Sequence, residues 1–182
     1  MKTRRASLCC VLLACCLAWP LAAAARSLPE AVEAAAGPLQ LAGEGEMRWF
    51  GFKLYDAALW VESGGAVATS EHALAIRYAR PIAAERLIEV SLDEMRRLGE
   101  RDEGRLARWR GVLEKALPSV AEGDTLIGLH RPGRGASFWH QGRLTAHIDD
   151  PALARAFFAI WLDERTREPA LRARLLGLAE PQ

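Results

Sequence analysis

A chain of 182 residues with 51% apolar residues is one domain by length and has enough apolar mass for a real core. Its 24 basic and 23 acidic residues give a formal net charge of +1, which supplies no basic field for nucleic acid. All four cysteines (Cys9, Cys10, Cys15, Cys16) lie in the first sixteen residues, so the rest of the chain can use neither disulfides, a thiolate metal site nor a cysteine nucleophile.

Residues 1–25 read as a secretory signal. Lys2, Arg4 and Arg5 precede an apolar run, and a row of alanines offers small residues for cleavage near Ala25. A membrane anchor is opposed by Pro20 within the run and by Arg26 as the one basic residue after it. A lipoprotein reading at Leu12-Leu13-Ala14-Cys15 is opposed by the apolar residues that follow, where a polar tether is expected. Cleavage leaves 21 basic against 23 acidic residues, a net charge of −2, in a domain over residues 26–182 that is periplasmic or secreted.

In chain order, a short helix is expected over Pro29 to Ala36, and the sheet begins at Leu39 to Ala42. Met47 to Glu62 is the richest strand region: Trp49, Phe50, Phe52, Leu54, Leu59 and Trp60 occupy both side-chain phases, which predicts cover on both faces. Ala73 to Ala79 is the next strand. Beyond Pro81, a helix over Ala84 to Leu98 carries an apolar stripe of Leu87, Ile88, Ser91, Leu92, Met95 and Leu98, and its charged face reads as solvated surface. A second amphipathic helix with Leu106, Trp109, Leu113 and Leu117 stops at Pro118.

The segment from Gly123 to Gly177 reads as three short antiparallel strands and two helices. Pro132-Gly133-Arg134-Gly135 and Gln141-Gly142 supply the turns. In the third strand Leu144, Ala146 and Ile148 point one way, so one face needs a helical cover. Asp150-Pro151 offers an N-cap and a first-turn proline for that helix, with Leu153, Phe157, Ile160 and Trp161 at helical spacing. The fold class is α+β, an antiparallel sheet with helices packed on one face.

This segment, with its PGxG turn, AFFAIWL helix and LLG ending, resembles the C-terminal half of the chalcone-isomerase-like family in its bacterial exported form. Leu41-Ala42-Gly43-Glu44-Gly45 and the following Lys53-Leu54-Tyr55 resemble that family's glycine-rich strand and its "K-hydrophobic-Tyr" strand. The resemblance implies an open-faced sandwich. It also implies, from members that bind fatty acids, that Arg48 and Tyr55 hold a ligand carboxylate.

Other chemistry is thinly represented. No HExxH, GxSxG or phosphate loop occurs, and no cofactor is expected. His72, His130, His140 and His147 read as strand-surface residues; His130 and His140 could approach across a hairpin, but two imidazoles are too few for a zinc site. Arg48 and Tyr55 lie in the most apolar strand region and need partners when buried. Their spacing puts them on opposite strand faces unless a bulge, expected at Gly51, shifts the phase.

Three readings follow. The first is an exported binder of a small apolar carboxylate such as a fatty acid, with Arg48 and Tyr55 at the head group and Asp56, Glu44 or Glu46 as competitors for the arginine. The second is a chalcone-type isomerase. The resemblance supplies only the arginine for it: its hydroxyl positions fall at Ala159 and Tyr55, and Ala84 to Leu98 holds neither tyrosine nor asparagine. The third is a partner-binding scaffold without a small ligand. Neither composition nor pattern indicates an oligomeric state.

Overall fold

The computed structural model describes residues 27–178, so the leader read over residues 1–25 lies outside the described residues. Six antiparallel strands form one sheet in chain order: β1 (Leu39–Trp49), β2 (Phe52–Glu62), β3 (His72–Tyr78), β4 (Thr125–Arg131), β5 (Gly135–His140) and β6 (Arg143–Ile148). A short α1 (Glu30–Glu33) precedes the sheet, α2 (Ala84–Leu98) and α3 (Glu103–Ala116) join β3 to β4, and α4 (Pro151–Leu162) and α5 (Pro169–Leu175) end the chain. The expected α+β class holds, with α2 to α5 on one face.

Alternation along the strands makes that division. Leu59, Leu74, Ile76, Leu126 and Phe138 point toward the four helices and form the main core with Ile88, Trp109, Leu153 and Phe157. The other phase of the same strands supplies Ala58, Trp60, Ala73, Ile127, Leu129 and Trp139. These meet Leu28 and Val32 in a second, smaller core, so α1 and the chain leading into it lie against the opposite face.

The apolar stripe of α2 is buried as its periodicity requires, but its charged face is not all solvated. Glu94 is buried and pairs with Arg97 and Arg167, both at 2.8 Å. Asp150 caps α4 as expected, accepting from the Ala152 and Leu153 amides at 2.9 Å.

Three strand expectations change. Met47 to Glu62 is not one strand region: β1 and β2 are the arms of a hairpin whose tip, Phe50-Gly51, has positive φ at both positions (47° and 81°), as the tightest hairpin turn demands. Gly51 therefore turns the chain and does not bulge it. The cover expected on both faces fails here, because Trp49, Phe50 and Phe52 are 54%, 86% and 69% exposed. In β6, an irregular register opposite Phe138/Trp139 turns Leu144 outward, and the Thr145 hydroxyl donates to the Ala116 carbonyl at 2.9 Å.

Candidate functional site

Arg48 and Tyr55 belong to neighbouring strands. Met47 pairs with Tyr55 and Arg48 with Lys53, so Leu54 is an extra residue on β2. A bulge is thus present close to the two residues, but on β2 at Leu54 and not at Gly51, which lies in the turn. It does not bring them together. The Arg48 guanidinium binds Glu46 through Nε and donates from Nη1 to the Gly51 carbonyl at 3.0 Å. Lys53 completes the cluster with Asp56 at 2.6 Å and Glu46 at 3.6 Å. All four charges stand at the solvated end of the hairpin. Arg48 holds the Glu46 carboxyl below its ordinary range, and Glu46 raises the arginine in turn. Of the expected competitors for Arg48, Glu46 is the one that takes it.

Tyr55 points the other way, into the layer between sheet and helices. Its hydroxyl accepts from Trp161 Nε1 of α4 at 3.0 Å, and its ring meets Tyr78 of β3 edge-on at 6.1 Å. Burial pushes its pKa up to about 12; the Trp161 hydrogen bond works against that, and the Glu168 carboxylate adds to it. Burial raises Tyr78 too, helped by Tyr55. Among the described residues, neither phenol gives its own hydrogen to an acceptor. Two neutral donors therefore sit side by side at the hairpin end of the helix-covered face. In the sequence, the strand phase of Tyr78 marks it only as core.

A separate concavity of about 500 Å³ opens on the opposite face. Ala58, Ala75 and Ile127 form its floor, where two alanines leave depth that larger side chains would fill. Asp56, Arg77 and Gln141 stand at its rim. Arg77 makes no hydrogen bond or ion pair among the described residues, since its strand partner Asp56 is taken by Lys53.

The histidines are arranged differently from the strand-surface expectation. His72 and His130 are buried, and His130 meets His72 of β3, not His140. His140 instead binds Asp124 at 2.9 Å, and His147 meets Ser137 at 2.7 Å. Among the described residues, no group of three or more His, Cys, Asp or Glu could hold a metal ion.

The sequence matches a known family along nearly the whole described chain: the model of chalcone isomerase-like proteins matches residues 22–177. The chain belongs to the chalcone isomerase-like family. Among solved structures it is similar to the fatty-acid binding protein AtFAP1 of Arabidopsis thaliana, with a TM-score of 0.60 and 11% identity over 78% of this chain and 88% of that one. At that identity the likeness shows the chalcone isomerase-like fold and not the ligand. No curated protein sequence matches. No helix among the described residues is long and apolar enough to cross a membrane.

Proposed function

We propose that this chalcone isomerase-like protein is an exported, non-catalytic binder of a small apolar carboxylate such as a fatty acid, with Tyr55 and Arg48 at the head group. The observation that carries the reading is the unspent hydrogen of the Tyr55 hydroxyl. Burial keeps that phenol protonated at neutral pH, Trp161 orients it, and Tyr78 stands beside it with a second free donor. A carboxylate takes such donors in charge-assisted hydrogen bonds. The fold neighbour AtFAP1, a fatty-acid binding protein, supports the same class of ligand. The order of basic, apolar and alanine segments before Arg26 supports export.

The Glu168 carboxylate near Tyr55 opposes an anionic ligand, so a cation has to join the site. Arg48 starts on the other face of β1, one register step past Tyr55's partner Met47, and takes that part by releasing Glu46 and swinging around the free edge of β1 to the ligand.

Calorimetric titration of lipid-stripped protein with oleate tests this. Tyr55→Phe and Arg48→Ala should each weaken binding by roughly tenfold, the worth of one charge-assisted hydrogen bond. Glu46→Gln should tighten it by freeing Arg48. Absence of oleate binding, or unchanged affinity in both Tyr55→Phe and Arg48→Ala, would defeat the proposal. Loss of affinity in Arg77→Gln alone would instead move the site to the concavity on the opposite face.

A further inference from the structure

We infer that the tip of the β1–β2 hairpin docks this protein on an anionic lipid bilayer. The tip is Trp49-Phe50-Gly51-Phe52, and its three aromatic side chains are the largest cluster of exposed apolar groups on the described chain. Trp49 meets Phe50 edge-on at 5.1 Å, so they form one cap, and no other element among the described residues covers it.

Folding does not account for these residues. Phe50 occupies the left-handed region with φ 47°, a conformation that asparagine or glycine adopts at less cost in a two-residue hairpin. Its ring recovers nothing by burial, being 86% exposed. A strained backbone that carries a large apolar side chain into solvent is matched to something outside the chain. The tip is convex, and the last residues of the hairpin, Arg48 to Lys53, run past the end of β3, so the aromatic cap projects beyond the sheet. Such a shape enters a deformable medium readily, and tryptophan and phenylalanine are the side chains that settle at the boundary between headgroups and acyl chains.

The charges behind the tip fit the same surface. Arg48 and Lys53 are balanced within the hairpin by Glu46 and Asp56. Arg80 is not balanced. The amide of Ala79 donates to the Leu54 carbonyl at 2.9 Å, which places Arg80 level with Lys53, roughly 10 Å behind the turn at the usual rise of a strand. Neither Arg80 nor Arg77, three positions earlier, makes a hydrogen bond or ion pair among the described residues. With the aromatic cap sunk roughly 5–10 Å into the interface, that free cation lies at the depth of the phosphates.

Flotation of the purified protein with vesicles of phosphatidylethanolamine and phosphatidylglycerol decides the matter, and the absence of free fatty acid keeps it independent of the ligand proposal. The protein should float with the vesicles, with a blue shift of tryptophan emission that Trp49→Ser diminishes. The double variant Phe50→Ser, Phe52→Ser should lose roughly tenfold or more in partitioning, and it should keep its near-ultraviolet circular dichroism because both side chains are exposed. Arg80→Gln should weaken binding to these vesicles and leave binding to purely zwitterionic ones unchanged. Failure of the wild type to float, or equal flotation of the double variant, overturns the inference. If the double variant instead converts a dimer into a monomer without altering flotation, the tip is a contact between copies of this chain and the inference is again wrong.

Discussion

His72 of β3 and His130 of β4 are register partners whose rings lie 4.8 Å apart, both against Phe158 of α4. His72 Nδ1 is within 2.9 Å of the Ser70 carbonyl, but His72 Nε2 and His130 Nδ1 are buried with no hydrogen-bond partner among the described residues. A pair of imidazoles in that setting has to stay neutral. Burial, then the neighbouring His72, then Arg155 bring the His130 pKa down to about 4, and burial also lowers His72.

The protein should therefore lose stability in mild acid. The folded pKa of His130 lies below its unfolded value of 6.5, so between those values the unfolded chain takes up a proton that the folded one refuses. The His130 contribution to stability falls as pH drops from about 6.5 to about 4 and is constant below, a loss on the order of 3 kcal/mol from this group. Urea unfolding at pH 7 and pH 4.5 measures it. His130→Leu should flatten the difference, and an equally steep loss in that variant would assign it to other groups.

A second expectation concerns Asp150, which does two jobs with one carboxylate. Oδ1 caps α4, while Oδ2 accepts from Trp109 Nε1 of α3 at 2.9 Å. Asp150→Ala removes the cap and strands the indole N–H, for a loss of about 2–3 kcal/mol. Asp150→Asn keeps the cap oxygen and turns an amide donor toward the indole, so it should recover only part. In urea titrations, Trp109→Phe and Asp150→Ala should combine to less than their sum; strict additivity would mean the contact contributes nothing.

Hydroxychalcone cyclisation should proceed at its spontaneous rate. α2 carries neither tyrosine nor asparagine, Ala159 offers no hydroxyl, and Arg48 is engaged by Glu46. Each missing donor forgoes about 3 kcal/mol of transition-state stabilisation. An absorbance assay that showed clear acceleration, abolished in Arg48→Ala, would restore the isomerase reading.

The parts of this fold legible in the sequence are those written in local periodicity. The α2 stripe, the Asp150 cap and the Gln141-Gly142 turn each lie within a few residues, and each stands where the pattern put it. The β1–β2 turn was hidden because Trp49-Phe50-Gly51-Phe52 lacks the Asn-Gly or Asp-Gly signal, and aromatic residues in both phases read as a covered strand. The site was legible only by residue type. Tyr55 stood out as a polar group in an apolar strand, but its partner Trp161 is 106 positions away. The bulge at Leu54 and the facing of His72 to His130 depend on register between strands, which side-chain pattern constrains weakly when both phases are apolar.

Strand order equal to chain order also bears on how the molecule assembles. β1–β2 and β4–β5–β6 are joined by tight turns and can zip up from local contacts alone, whereas β3 and β4 meet only across the whole of α2 and α3. Closing that one long loop is the costliest single closure in the sheet, although the penalty grows only slowly with length. The histidine pair lies on that seam, so acid should loosen the β3–β4 junction, the one strand pairing that no local turn supports, before it loosens the turn-linked strands on either side.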